Sequence, residues 1–163
     1  MVARNLNFPN KYFIETGCQR GDGLEKARAT GNYKQLFSIE IDHNSVETCR
    51  KRFQAFSNVE ILEGDSSRLL PELLKRIDAP ATFWLDGHTD THSPIFSELE
   101  SIRNHSIKTH TILIDDVSSF GTVATEYILI DDLILRLRKI NSKYQISFID
   151  GYEVANDVLL ATI

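Results

Sequence analysis

The first feature of this chain that could form a ligand-binding or reactive site is a glycine-rich turn between two acids. The apolar stretch 12–16 runs through Glu15 into Gly17 and Gly21, and a second apolar stretch ends at Glu40. Glycines at the end of a strand let the backbone approach a ligand closely, and an acid one βα unit later can accept hydrogen bonds from ribose hydroxyls. The pattern therefore predicts a site for a nucleoside-containing cofactor.

The spacing of the glycines argues against a dinucleotide. A dinucleotide fingerprint is G-x-G-x-x-G, whereas here three residues separate Gly17 from Gly21 and one separates Gly21 from Gly23. Glu15 stands just before the turn, where a carboxylate would repel a pyrophosphate but would suit an ammonium or sulfonium group. A nicotinamide-dependent oxidoreductase is kept as an alternative, which competition with NAD would test.

Two further groups of acids follow apolar strands in the middle of the chain. Asp86 ends one strand, with His88 two residues later, and the pair Asp115 and Asp116 ends the next. Parallel strands end at the same edge of a sheet, so three carboxylates would converge there, which is costly unless a cation lies among them. Because Mg²⁺ prefers oxygen ligands, the sequence predicts a magnesium site formed by Asp86, Asp115 and Asp116. The alternative is that the acids cap helices and His88 lies in a plain turn.

The segments around these residues alternate between apolar strands and amphipathic helices. Apolar runs separated by helices indicate a parallel sheet covered on both faces. The last two strands have only residues 150–156 between them, too few for a helical crossover, so they should be antiparallel. We predict an α/β fold, a Rossmann-like three-layer sandwich with a mostly parallel seven-stranded sheet and an antiparallel last strand. The predicted strands are 12–16, 36–41, 59–62, 81–86, 111–114, 144–149 and 157–162, and the predicted helices are 23–30, 45–56, 66–76, 94–103 and 125–140.

Length, composition and charge fit one globular domain. The chain has 163 residues, of which 42% are hydrophobic and 25% charged, and we expect residues 1–163 to form a single domain. The net charge of −5 argues against a nucleic-acid partner, and no stretch reaches the ~18 apolar residues of a membrane span. Two cysteines, Cys18 and Cys49, and a start without an apolar signal core predict a soluble, cytoplasmic protein.

The glycine-rich turn resembles motif I of the class I S-adenosylmethionine-dependent methyltransferases: an acid, any residue, glycine, three residues, glycine. Glu15, Gly17 and Gly21 match this motif in register. The succession of strands and helices with a closing antiparallel hairpin is also that family's topology, so the resemblance covers nearly the whole chain. It implies S-adenosylmethionine as the cofactor, with Glu40 holding the ribose.

A second resemblance to this family follows the third predicted strand. There Asp65 and Ser66 stand where the family approaches the adenine ring, and Asp65 would accept a hydrogen bond from the exocyclic amine. Taken alone, an acid and a serine after a strand are usually a helix cap. The residues that the resemblance assigns to the cofactor are Glu15, Thr16, Gly17, Gly21, Glu40, Ile41, Asp65, Ser66 and Asp86.

The acids after the fourth and fifth strands resemble those of metal-dependent O-methyltransferases of the catechol and the macrocin or sugar type. In those enzymes, acids at these positions bind the metal, and Asp86, Asp115 and Asp116 match them by position. The resemblance implies that the metal chelates the hydroxyls of the acceptor and that His88 takes the proton as the methyl group arrives. His92 and Asp90 are nearby alternatives for the base.

The expected acceptor is a small molecule or a glycan. Only about a dozen residues precede the first strand, so we expect an open site that suits a large acceptor or is completed by a second subunit, as in a homodimer. The segment 117–123 and the helix from Thr125 are the expected walls. The alternative function is a catalytically silent module that binds S-adenosylmethionine, and metal binding would distinguish the two.

Overall fold

The computed structural model describes residues 6–89 and 92–163, and within them seven strands form one sheet in the order β3-β2-β1-β4-β5-β7-β6. Strands β1 to β5 are parallel to one another, and β7 is antiparallel to both β5 and β6. The predicted sheet, mostly parallel with an antiparallel last strand, is confirmed. The strands are β1 (Tyr12–Thr16), β2 (Gln35–Glu40), β3 (Val59–Glu63), β4 (Ala81–Leu85), β5 (Thr111–Ile114), β6 (Gln145–Ile149) and β7 (Val158–Thr162).

Five α-helices in the described residues cover the two faces of this sheet. They are α1 (Asp22–Ala29), α2 (His43–Phe53), α3 (Ser66–Leu74), α4 (Ile95–Asn104) and α5 (Ile130–Ile140). Leu24 of α1 and Phe53 of α2 belong to the core on one face, while Leu70 of α3, Leu99 of α4 and Leu133 of α5 belong to the core on the other. The result is the expected three-layer sandwich.

Alternation along each strand explains why both faces are apolar. In β1, Phe13 belongs to one core and Ile14 to the other, and in β4 Phe83 and Trp84 divide in the same way. Successive side chains of a strand point to opposite faces, so a strand covered on both sides reads as a continuous apolar run. All five residues of β1 and of β4 are buried.

The fifth helix begins later than its apolar periodicity predicts. The prediction placed its start at Thr125, but that residue ends a short 3₁₀ turn (Val123–Thr125), and α5 begins at Ile130. Glu126 and Tyr127 between them have φ angles of 53° and 59°. Two successive residues in the left-handed region cannot continue a right-handed helix. Strands β1 and β5 have the predicted bounds, and, α5 apart, the other predicted elements differ from the observed ones by at most three residues at either end.

The strand order creates a switch point at the centre of the sheet. From β1 the chain builds outward through β2 and β3 on one side, and from β4 it builds through β5 on the other. The loops after β1 and β4 therefore diverge and leave a crevice at the carboxyl ends of these strands, which is where open α/β sheets bind their ligands. Among the described residues, no helix is both long and apolar enough to cross a membrane.

Candidate functional site

The crevice between β1 and β4 depends on Gly17. This residue has a φ of +81°, and a Cβ atom added to it would lie 2.3 Å from the carbonyl oxygen of Asp86. Only glycine satisfies both the left-handed backbone and this close approach. The backbone N–H of Asp86 in turn donates to the carbonyl of Thr16, 3.1 Å away. The loops that follow β1 and β4 are thus fixed to each other at the floor of the site.

Two cavities meet over this floor, and they share Gly17, Gln19 and Asp86. The β2 cavity, about 270 Å³, lies toward β2 and β3 and is lined by Glu40, Ile41, Asp65, Ser66 and His88, among others. The β5 cavity, about 370 Å³, lies toward β5 and is lined by Glu15, Cys18, Asp115, Asp116 and Tyr152, among others. Of the sequence-predicted site residues, Thr16 and Gly21 line neither cavity, and the others line one continuous crevice.

In the β2 cavity, the carboxylate of Glu40 is held by backbone donors. It is 7% exposed, and its two oxygens accept hydrogen bonds from the N–H groups of Gln19, at 3.1 Å, and Asp42, at 2.8 Å. One side chain thereby ties the glycine-rich turn to the end of β2. Next to it Ile41 leaves 65% of its surface exposed, which gives the cavity an apolar wall.

The helix-cap interpretation and the cavity interpretation of Asp65 both apply. Asp65 is the N-cap of α3, accepting a 2.8 Å hydrogen bond from the N–H of Ser67, and it also lines the β2 cavity. Hydrogen bonds from the Ser67 side chain and backbone hold the pKa of Asp65 below its usual range. Ser66, the first residue of the helix, is buried, and its hydroxyl donates to Glu98 at 2.6 Å.

In the β5 cavity, the carboxyl group of Glu15 is almost completely buried. It is 2% exposed and accepts a 2.7 Å hydrogen bond from the Ser38 hydroxyl. Burial raises the pKa of Glu15 to about 8, the hydrogen bond from Ser38 opposes this rise, and the nearby Glu40 adds to it. A positively charged ligand group in this cavity would favour the ionised form.

Asp86, His88 and Asp116 bring their polar atoms together at the boundary between the cavities. One candidate ligand atom from each lies within 4.8 Å of the others. His88 stands between the two acids, with Nδ1 3.6 Å from Oδ1 of Asp86 and Nε2 3.3 Å from Oδ2 of Asp116. Burial, followed by the charges of Asp115 and Asp116, raises the pKa of Asp86 to about 9. We call these three residues the acid–imidazole cluster.

Asp115 was predicted as a metal ligand, but it does not join this cluster. Its backbone N–H continues the ladder to the carbonyl of Leu85, and burial raises the pKa of its carboxyl group to about 6. Asp116 has a φ of 52°, so the chain turns sharply between the two neighbouring acids. The geometry favours His88 over Asp115 as the third ligand, and the identity of the ligands stays a prediction.

The alternative bases are less well placed. His92 is 64% exposed at its side chain and stands 3.4 Å from Oε2 of Glu126, at the rim of the β2 cavity. Asp90 lies outside the described residues. His88 is therefore the better placed of the two described candidates for the base, because it lies at the boundary between the cavities and next to the acids.

One wall of the β5 cavity was not predicted. The connection between β6 and β7 contributes Tyr152, Val154 and Asp157, whereas α5 does not line the cavity. Asp157 is 7% exposed and accepts a 2.6 Å hydrogen bond from the N–H of Ser118, which fixes this connection to the segment after β5. The order of the strands could have indicated this wall. Because β6 runs parallel to β5, the loop after β6 must lie at the same edge of the sheet as the loop after β5.

Glu98 of α4 is the other residue that the sequence analysis missed. Its buried carboxyl group accepts from Ser66 behind the β2 cavity. Nothing in the local sequence distinguishes it from Glu100, the other acid of the same helix, apart from its place on the apolar face next to Ile95, Leu99 and Ile102.

Comparison with known proteins identifies the fold. No protein-family model matches the chain, and no curated protein matches it. Solved structures do: a Staphylococcus aureus protein provisionally named caffeoyl-CoA O-methyltransferase has a TM-score of 0.63 at 11% identity, over 94% of this chain and 76% of that one. The N-methyltransferase NodS from Bradyrhizobium japonicum has a TM-score of 0.56 at 15% identity, over 93% and 84%.

A third structural match limits what the fold implies. Spermidine synthase from Thermotoga maritima has a TM-score of 0.64 at 11% identity, over 94% of this chain and 53% of that one. The chain thus has the fold of the class I S-adenosylmethionine-dependent methyltransferases, which the sequence analysis predicted. Because the same fold supports different transfers, the reaction has to be argued from the site.

Proposed function

We propose that this protein is an S-adenosylmethionine-dependent methyltransferase that acts on a hydroxyl group of a small-molecule or glycan acceptor with the help of a divalent metal ion. The observation that carries the proposal is the meeting of two different cavities over Gly17 and Asp86. One offers hydrogen-bond acceptors suited to a nucleoside, and the other offers carboxyl groups suited to cations. A cofactor that is a nucleoside at one end and a cation at the other matches both.

The β2 cavity would take the adenosine half. Glu40 is held so that it can accept hydrogen bonds from the ribose hydroxyls, and Ile41 offers an apolar surface to the base. Asp65 and Ser66 border the place of the adenine edge. The buried carboxyl group of Glu15 would then pair with the cationic methionine half on the other side of Gly17. Thr16 and Gly21 support the turn between them.

The donor set of the acid–imidazole cluster fits a divalent ion. Two carboxylates and one imidazole within 4.8 Å can ligate one ion and leave positions for an acceptor. Magnesium prefers an all-oxygen set, so the presence of His88 favours a softer first-row ion such as Mn²⁺. When bound, the metal would act as a Lewis acid that lowers the pKa of an acceptor hydroxyl.

In this reaction the acceptor oxygen attacks the methyl carbon of the sulfonium, the carbon–sulfur bond breaks, and the hydroxyl proton is transferred to a base. His88 is the proposed base, since it lies beside the acids of the cluster and an imidazole nitrogen can accept a proton from a hydroxyl group. A nitrogen that ligates the metal cannot also accept the proton. The two roles of His88, base and ligand, are therefore alternatives at any one nitrogen.

Calorimetric titration of the purified protein tests the proposal. We expect S-adenosylmethionine to bind with micromolar affinity, and Mn²⁺ or Mg²⁺ to bind to the wild type and, at least ~10-fold more weakly, to Asp116→Asn. Asp115→Asn is the matched control, which we expect to keep the metal affinity within about threefold. An acceptor screen with catechols and sugars, with and without chelator, then tests turnover.

The outcomes separate the parts of the proposal. Binding of the cofactor with no metal binding, and turnover that persists in chelator, would remove the metal from the mechanism. Cofactor binding without turnover on any acceptor would favour a silent binding module. Loss of metal binding in Asp115→Asn as well as in Asp116→Asn would favour the three-aspartate site instead of the acid–imidazole cluster.

A further inference from the structure

Glu98 is a buried acid that no part of the proposed mechanism uses. It lies in the first turn of α4, is 1% exposed, and stands on the apolar face of its helix beside Ile95, Leu99 and Ile102. None of the ion pairs among the described residues involves it. Burying a carboxyl group without a cation is unfavourable, and a leucine would fill the same space at lower cost.

The contacts of Glu98 connect it to three strand ends of the site. Oε1 of Glu98 accepts the Ser66 hydroxyl at 2.6 Å, and the Thr16 hydroxyl forms a second hydrogen bond to the same carboxyl group. Ser66 follows β3 at the adenine end of the β2 cavity, and Thr16 ends β1 directly before Gly17. The Glu98 side chain thus contacts one residue that follows β3 and one that ends β1.

The third contact is with the loop that carries the acid–imidazole cluster. A Cβ atom added to Gly87 would lie 3.1 Å from Oε1 of Glu98 and 3.2 Å from Oγ1 of Thr16. Gly87 therefore lies directly against this hydrogen-bonded pair. It separates Asp86 from His88, so the carboxyl group of Glu98 forms the support on which the cluster's loop lies.

We propose that Glu98 is a positioning residue that fixes the Ser66 and Thr16 hydroxyls and the Gly87 backbone, and so sets the adenine end of the cofactor site relative to the acid–imidazole cluster. The inference rests on the proposed function. Glu98 lines neither the β2 cavity nor the β5 cavity, so it would touch neither cofactor nor acceptor. Its contribution comes from hydrogen bonds that hold other groups in place, as second-layer hydrogen bonds do around reactive sites.

Two substitutions of similar size test the proposal. Glu98→Leu removes both hydrogen bonds but fills the space, and we expect S-adenosylmethionine to bind about tenfold more weakly, the effect of one lost hydrogen bond, while Tm stays within about 4 °C of the wild type. Glu98→Gln keeps an oxygen acceptor for Ser66, and we expect its affinity to stay within about threefold. Glu100→Ala, at an exposed acid of the same helix that pairs with Arg103, is the control.

A double-mutant cycle and amide hydrogen exchange test whether the effect on affinity comes from the contacts of Glu98 with Ser66 and with the loop after β4. In a Ser66→Ala background, Glu98→Leu should weaken cofactor binding less than it does alone, since the two residues share one interaction. In the absence of any ligand, Glu98→Leu should also speed amide exchange at residues 86–89, and Glu100→Ala should not.

The failures of the two proposals are distinguishable. If the wild type does not bind S-adenosylmethionine, the proposed function fails, and the ligand-free exchange experiment still decides whether Glu98 orders the loop. If the wild type binds and Glu98→Leu binds equally well with unchanged exchange, the positioning role is overturned. It is also overturned if affinity and Tm fall together in both Leu and Gln variants, because that is the result of a merely structural role.

Discussion

The two cavities of the crevice differ in how their acids are satisfied. In the β2 cavity, Glu40 accepts two backbone N–H groups and Asp65 caps a helix, so each carboxylate already has its donors. In the β5 cavity and at its boundary, Glu15 is buried and Asp86 is partly buried beside other acids, and their pKa values are raised to about 8 and about 9. The first arrangement is preorganised for a neutral polar ligand, whereas the second would be stabilised by a cation.

Because of this difference, the acids of the two cavities affect the stability of the fold in different ways. The hydrogen-bonded acids of the β2 cavity stabilise the fold and the site together, since they close loop and helix ends. The acids at the boundary oppose the fold while no cation is near, and are typical of groups retained for function at the expense of stability. Substitutions should therefore have opposite effects on stability on the two sides.

The largest effect is expected where both cavities depend on one residue. Gly17→Ala adds a Cβ atom 2.3 Å from the carbonyl oxygen of Asp86 at a φ of +81°, and we expect it to lower the free energy of unfolding by about 3 kcal/mol. Gly31→Ala is the matched control, with a φ of +72° and nothing within 4 Å of the added atom, and should cost about 1 kcal/mol. Chemical denaturation of both variants measures the difference, and equal losses would contradict the close approach.

The next largest effect concerns the β2 cavity alone. Glu40→Ala leaves the N–H groups of Gln19 and Asp42 without their acceptor and removes the proposed ribose contact. We expect S-adenosylmethionine to bind at least ~100-fold more weakly, a loss of about 3 kcal/mol, while metal affinity is unchanged. Glu63→Ala, at the neighbouring position of β3 in the sheet register, is the control for an exposed acid. Calorimetry gives both affinities, and equal weakening by the two variants would remove Glu40 from the site.

At the boundary between the cavities, replacing an acid should raise the stability of the fold instead of lowering it. Asp86 is protonated in the folded protein up to about pH 9 but ionises near pH 4 when unfolded, so the folded state binds the extra proton between these values. Stability of the metal-free protein should therefore fall as pH rises through that window. Asn does not titrate, so Asp86→Asn should be more stable than the wild type at pH 8.

The size of this gain is limited because the Asp86 side chain is 21% exposed and water relaxes part of the penalty. We expect about 2 kcal/mol at pH 8 and almost no gain near pH 4, measured by denaturation in the presence of chelator. Adding Mn²⁺ should stabilise the wild type and leave Asp86→Asn unchanged. A variant that is less stable than the wild type at pH 8 would mean that the cluster is not under electrostatic strain.

The sequence predicts the strand ends of this site but not the directions in which their side chains point. Glu40 and Asp86 follow apolar runs whose order in a parallel sheet brings them to one edge, so periodicity alone locates them. The sharp turn between Asp115 and Asp116 depends on one left-handed residue, and the late start of α5 depends on two more. The contacts of Glu98 with β1 and β3 segments are tertiary, and no spacing in the sequence encodes them.

The smallest expected effect tests whether Glu15 meets a cation. In the free protein its pKa is about 8, so below that value the carboxyl group must lose a proton before it can pair with a positive ligand group. The complex then binds fewer protons than the free protein, and affinity for S-adenosylmethionine should rise with pH between 6 and 7.5, by at most about tenfold per unit. The measurement stops at pH 7.5 because the amino group of the cofactor itself titrates near pH 8.

Two variants at the Glu15–Ser38 pair sharpen this test. Glu15→Gln cannot ionise, so its affinity should be lower and nearly independent of pH from 6 to 7.5. Ser38→Ala removes the hydrogen bond that lowers the pKa of Glu15 and should move the rise in affinity to higher pH. Calorimetry in phosphate and in Tris at pH 7 would show the released proton as a difference in the apparent heat. A wild type with no proton release and no pH slope would place the cationic end of the cofactor away from Glu15, and the contrast between the two cavities would then rest on the acid–imidazole cluster alone.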